Sequence, residues 1–132
     1  MTKDYVIDAY AWIEYLIGSE TGAKVKAIIE EENTSIYTSA VTLAEIISKV
    51  AREGKDIETA YKILTTNSNI IDADDQLSKQ AGITHAEMRK TIKDFGLADA
   101  YVLATAKKLK TKILSGDPHF QNIKQAILIT KP

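Results

Sequence analysis

The sequence predicts an α/β fold, a three-layer α/β/α sandwich around a central parallel sheet. Short apolar, β-forming runs alternate with longer amphipathic segments along the whole chain, the pattern of parallel strands joined by helical crossovers. The first run, Tyr5-Val6-Ile7, is apolar without interruption, as a strand covered on both faces must be. The 132 residues, 45% hydrophobic and 27% charged, suffice for one domain, 1–132, with a substantial core.

The elements follow in order. Tyr5-Val6-Ile7 reads as the central strand, ending at Asp8. Ala9 to Ile17 turn into a helix with Trp12, Ile13 and Leu16 on its apolar side. Gly18-Ser19 ends it, and Ser19 or Thr21 caps a second helix through about residue 32. Residues 35–38 form a second strand. Residues 41–53 form a helix with Leu43, Ile46, Ile47 and Val50 as its stripe, stopped by Gly54. Asp56 caps a helix carrying Ile57, Tyr61 and Leu64, which ends at Asn67-Ser68-Asn69. Asn69-Ile70-Ile71 is a third strand, and Asp72 to Asp75 open a polar helix through about residue 93. Gly96 breaks it. A helix, the strand 112–114 and an edge strand at 126–129 complete the chain. Repeats, low-complexity tracts and dividing linkers are absent.

Composition excludes several classes. A formal charge of −1 argues against a general polyanion binder, although a bound divalent cation would reverse the sign of a site. With no cysteine, disulfides and thiolate zinc sites are out, and a reducing compartment is natural. The apolar start is interrupted by Asp4, Asp8 and Glu14, unlike a signal peptide, and no run is long enough to span a membrane. The expectation is a soluble, cytoplasmic protein.

The candidate chemistry is carried by acids. In parallel sheets ligands sit outside the carboxyl ends of the strands. Asp8 and Asp117 follow two strands and belong at that edge, though each also serves as a helix N-cap, Asp117 with Pro118 behind it. With Leu103 at 0° on a helical wheel, Asp99 falls near about 320°, inside the stripe of Val102, Ala106 and Leu109. A carboxylate there either caps its helix or meets a cation. Glu45 lies opposite the Leu43/Ile47 stripe beside Lys49 and Arg52, which by pattern is a solvated face.

Other chemistries find little support. There is no nucleophile elbow, no phosphate-binding glycine loop and no zinc-ligand spacing. His85 reads as a surface residue. His119 follows Asp117 at a spacing that reaches the site, but a lone histidine beside a cap is usually incidental. Asp72 to Asp75 read as a capping turn. What is left is acids only: carboxylates without histidine or cysteine suit Mg²⁺ or Mn²⁺, and several that cannot all ionise together call for a cation.

Four segments, VIDAYAWIEYL around Asp8, VTLAEI around Glu45, GLADAYVLATA around Asp99 and ILSGDPHF around Asp117, resemble the PIN-domain family and, within it, VapC-type toxins. The match runs in order over nearly the whole chain. The resemblance implies a PIN-like α/β/α sandwich with Asp8, Glu45, Asp99 and Asp117 as acidic metal ligands, which would turn Glu45 toward the cleft. It implies a Mg²⁺- or Mn²⁺-dependent endoribonuclease acting on RNA, and an antitoxin protein that blocks the site. Ser115 and Thr42 are candidate supporting hydroxyls. Ala9 departs from the family's frequent Ser or Thr, and Ser115 stands where Thr is frequent.

In the expected mechanism a metal-activated water attacks the phosphodiester in line, without the 2′-OH as nucleophile. Apolar helix surface at Trp12, Ile13 and Tyr15 to Ile17 would serve the antitoxin or a homodimer, unless it packs in the core. The alternatives are an RNA-processing PIN nuclease outside a toxin–antitoxin system, a non-catalytic PIN scaffold used for binding, and a Mg²⁺-dependent phosphoacceptor or phosphatase domain. The last needs a second acid near Asp8, which Asp8-Ala9-Tyr10 lacks, and has only Lys131 as a late lysine. Retention of all four acids argues against a scaffold.

Overall fold

The computed structural model describes residues 3–129, so Lys131 and Pro132 lie outside the described residues. Five strands, β1 (Lys3–Ile7), β2 (Thr34–Ser39), β3 (Asn69–Ile71), β4 (Lys112–Ser115) and β5 (Ala126–Leu128), form one sheet in the order β3-β2-β1-β4-β5. Every pairing is parallel. The helices are α1 (Ala9–Ile17), α2 (Glu20–Ile29), α3 (Ala40–Arg52), α4 (Ile57–Asn67), α5 (Asp75–Met88) and α6 (Leu97–Leu109), with a 3-10 turn at Pro118–Phe120.

The pleat sorts the sheet's side chains into two cores. Tyr5 and Ile7 of β1, Ile36 of β2 and Leu114 of β4 join Trp12, Val25, Ile46 and Leu64 from α1 to α4. Their neighbours Val6 and Ile113 point the other way, to Phe95 and to Val102, Leu103 and Ala106 of α6. Helix α5 covers α6 from outside through Leu77 and Ala81 against Ala104. Val6, Ile7, Ile113 and Leu114 are all fully buried, each stabilising the fold by about 1.5–3 kcal/mol relative to exposure. The expected sandwich is therefore present.

The order of the strands positions the site. From β1 the chain builds outward through β2 to β3, then crosses back to place β4 on the other side of β1. At such a reversal the connections leave in opposite directions and open a crevice at the carboxyl ends of the two strands. Ile7 pairs with Leu114, so Asp8 and the Ser115–Asp117 segment emerge side by side there.

Local signals set most boundaries. Ser19, Asp56 and Asp74 cap their helices through side-chain oxygens, and Gly18 ends α1 at φ 70° in the left-handed region. Other expectations need correction. Helix α2 ends at Ile29 rather than near residue 32. Helix α5 ends at Met88, not near residue 93: the amides of Lys90 and Thr91 reach carbonyls only three residues back. The chain turns there because Ile92 and Phe95 fold into the core beneath α6.

Helix α4 turns Ala60 and Leu64 inward and leaves Ile57 and Tyr61 39% and 48% exposed. Trp12 is fully buried and is no part of an interaction surface, whereas Ile17 is 57% exposed. The Trp12 indole N–H donates to Thr38 Oγ1 at 3.0 Å, deep in the core.

Candidate metal centre

Asp8 leaves β1 and caps α1, its Oδ1 accepting from the Ala11 amide at 2.9 Å. Asp117 leaves the β4 end and caps the 3-10 turn, its Oδ1 accepting from the His119 amide at 2.9 Å. Asp99 lies in the first turn of α6, where its Oδ2 accepts from the Gly96 amide at 3.1 Å. Capping and convergence are thus compatible, because a carboxylate offers two oxygens and about four lone-pair directions. The caps fix where the three groups point.

Ser115 ties two of them together. Its buried hydroxyl donates to Asp8 Oδ2 and accepts from the Asp117 amide at 2.8 Å. The hydroxyl that ends β4 therefore orients the carboxylate that ends β1.

His119, expected to be incidental, stands at the centre of the cluster. Its Nδ1 lies 2.9 Å from Asp99 Oδ2 and 3.4 Å from Asp117 Oδ1. These three residues each offer a ligand atom within 4.8 Å of the others. The far side of the ring, Nε2, lies 3.2 Å from Asp94 Oδ1 in the turn before α6. Asp94 was not singled out in the sequence at all. The signal for His119 was its place two residues beyond Asp117, on a turn too short to carry it away.

The electrostatics are those of an acidic cluster short of positive charge. Burial pushes the Asp8 carboxyl up to about 7, against the stabilising bonds from Ser115 and Ala11, and the charges of Asp117 and Asp99 push the same way. Asp99 is raised too, chiefly by burial, with its bonds from Gly96 and His119 opposing. Burial alone would lower His119, but its hydrogen bonds to Asp99 and Asp94 outweigh that and raise it. Asp94 is lowered by its bond to His119 and, more weakly, by the charge of Arg89.

Glu45 remains solvent-exposed at the edge of this group. Crowding around the carboxyl and the charges of Asp99 and Asp117 raise its pKa, so it looks toward those two acids. It turns to the cleft while the helix keeps Ile46 inside, since consecutive residues on a helix are about 100° apart. Neither Asp8 nor Glu45 belongs to the three-residue cluster of Asp99, Asp117 and His119. Thr42 is fully buried in α3 and its Oγ1 has no hydrogen-bond partner among the described residues. His85 is half-buried near the end of α5. A groove of about 780 Å³ between α5 and α6 contains none of the four acids.

A divalent cation fits this donor set. The residues offer hard carboxylate oxygens with one imidazole nitrogen, and the carboxyls of Asp8 and Asp99 are raised, first by burial and then by the charge of neighbouring acids, both of which a cation would offset.

Carboxylates gathered over the switch point of a five-stranded parallel sheet define an α/β protein with an acidic cluster at its strand ends. The PIN domain family matches residues 5–126, and the chain belongs to that family. No curated protein matches it by sequence. Among solved structures it is similar to VapBC2 from Rickettsia felis bound to a promoter DNA fragment, with 17% identity, 95% of this chain and 96% of that one covered, and a TM-score of 0.73. VapC20 from Mycobacterium tuberculosis, a Sarcin-Ricin loop cleaving toxin, aligns at 17% identity over 97% and 99% of the two chains, with a TM-score of 0.73. VapBC-1 from nontypeable Haemophilus influenzae aligns at 23% identity over 97% and 99%, with a TM-score of 0.70.

Proposed function

We propose that this chain is a metal-dependent endoribonuclease and the toxin of a toxin–antitoxin pair. The observation that carries the reading is the gathering of Asp8, Asp99 and Asp117, with Glu45 at the rim, where each of Asp8, Glu45 and Asp99 has its pKa raised in part by the charge of another acid. A binding scaffold has no use for such repulsion. The PIN-family match and the fold shared with VapC toxins support the same assignment.

Asp8, Asp99, Asp117 and Glu45 would hold one or two Mg²⁺ or Mn²⁺ ions, directly or through water. When bound, the ion supplies an activated water nucleophile and neutralises charge developing on the phosphodiester. The chain's own residues set the stage for this. Asp8 is held by Ser115 and the Ala11 amide, so its carboxylate is oriented before any ligand arrives. Arg89, whose charge reaches Asp94 at the cluster's edge, would meet an RNA phosphate there. The 2′-OH is not required as a nucleophile.

The partner would be an antitoxin protein. Leu16 of α1, Val50 of α3 and Ala60 and Ile63 of α4 line an apolar groove of about 200 Å³, and Ile17, Ile57 and Tyr61 stand exposed on α1 and α4. These surfaces suit a partner helix or a second copy in a homodimer. Among the described residues no helix is long and apolar enough to cross a membrane, in keeping with a cytoplasmic enzyme.

The test is cleavage of a structured RNA pool with Mg²⁺ or Mn²⁺, with EDTA, and by Asp99→Asn. Asn retains the Gly96 cap and removes the charge. Metal-dependent cutting that disappears in the variant is the expected result. Equal cutting by both proteins, or none by either with the fold intact, overturns the reading.

A further inference from the structure

His119 is the one nitrogen donor in the cluster, and both sides of its ring are committed. Nδ1 faces Asp99 Oδ2 at 2.9 Å and Asp117 Oδ1 at 3.4 Å, while Nε2 faces Asp94 Oδ1 at 3.2 Å. The ring lies against Phe95, with centroids 6.1 Å apart, in the same turn that carries Asp94. Histidines that bind metals commonly donate their remote N–H to a carboxylate, which sets the tautomer and leaves the near nitrogen's lone pair for the ion. Asp94 is placed for that task. An octahedral ion with bonds of about 2.1 Å holds adjacent ligands about 3 Å apart, close to the two separations from Nδ1.

We propose that His119 is itself a metal ligand through Nδ1, oriented by Asp94, and that this nitrogen makes the site select Mn²⁺ over Mg²⁺. The inference rests on the metal-centre reading above and adds to its four acids. Mg²⁺ is a hard ion that takes oxygen donors and keeps its waters, so an imidazole adds little to its binding. Mn²⁺ lies further toward nitrogen ligation, as the first of the transition ions whose affinity for such sites rises across the series. A site of carboxylates alone would separate the two ions only weakly.

The direct test is pulsed electron paramagnetic resonance of the unmodified protein loaded with Mn²⁺. Modulation from a coordinated ¹⁴N is expected, and bound Mn²⁺ without ¹⁴N coupling overturns the ligand assignment while leaving the metal-centre reading intact. Calorimetric titration of Mn²⁺ and of Mg²⁺ supplies the second arm. His119→Ala should weaken Mn²⁺ by about tenfold or more, and Asp94→Ala by a comparable factor, since orienting partners typically contribute 10- to 100-fold in metal affinity. Mg²⁺ affinity should move by less than about twofold. Equal losses for both ions in variants with unchanged circular dichroism overturn the selectivity. Failure of the unmodified protein to bind either ion overturns the metal-centre reading together with this one.

Discussion

The Ser115 hydroxyl donates to the carboxylate of Asp8, 107 positions away in sequence, and in the same place accepts from the Asp117 amide. One side chain at the end of β4 thus orients the acid at the end of β1 and the backbone of the acid that follows it. Removing it with Ser115→Ala leaves Asp8 in its buried position with the Ala11 amide as its remaining donor. The Asp8 pKa should then rise above about 7, and affinity for Mn²⁺ should fall about tenfold. Ser115→Thr, which keeps the hydroxyl, should retain both values. Carbon-detected carboxyl titration and calorimetry measure the two effects.

Stability of the metal-free protein should fall as pH rises. Asp8 titrates at about 7 in the folded chain against 3.8 in the unfolded one, so between those values the folded state holds a proton that the unfolded state has lost. Raising the pH through that window therefore removes stability, of the order of 4 kcal/mol for this group. Asp99 and Glu45, both raised, act in the same direction. His119 agrees: its contribution is complete below 6.5 and is lost as pH passes its raised folded value. Thermal melts in EDTA should show the midpoint declining from about pH 5 to about pH 8. Added Mn²⁺ should reverse the decline most strongly at the alkaline end.

Asp8→Asn should uncouple stability from function. The amide oxygen still caps α1 through the Ala11 amide, and no charge is left to desolvate. At about pH 8 without metal, the melting midpoint should rise by several degrees. RNA cleavage should drop to background. A fall in the midpoint at that pH would contradict the burial-driven origin of the raised pKa.

The fold should also depend on a polar chain that includes none of the acids. Trp12 Nε1 donates to Thr38 Oγ1 at 3.0 Å, and Thr38 and Ser68 share a second hydrogen bond of 2.8 Å. Thr38→Val preserves shape but leaves the buried indole N–H without an acceptor, which costs about 1–3 kcal/mol. Urea unfolding should show that loss in the midpoint. Metal affinity of the folded protein should be unchanged.

Much of the fold was legible because it is written in local patterns. The uninterrupted apolar runs of β1 and β4, the Asp56 cap and the Gly18 stop each sit within a few residues of the structure they cause. Boundaries failed where a distant core decided them. The turn after Met88 is set by the burial of Ile92 and Phe95 under α6, and periodicity through a polar segment carries no record of that. Helix α4 carries apolar residues on more than one side, and only packing decides that Leu64 turns inward while Ile57 and Tyr61 stay exposed.

By itself the sequence determined that an Asp would stand at the end of each of two parallel strands and that Asp99 would open α6; it gave acids as the only donors, and His119 corrects that. Family resemblance turned Glu45 toward the cleft where the wheel read it as solvated. Only the tertiary structure decided that His119 and Asp94 join the site. Their meeting needs the 3-10 turn after β4 to lie against the turn before α6, 25 positions earlier in the chain. Hydrophobic periodicity encodes which side of one element is buried. The approach of two polar turns is set by the packing of the elements that carry them, and leaves no periodic mark in either.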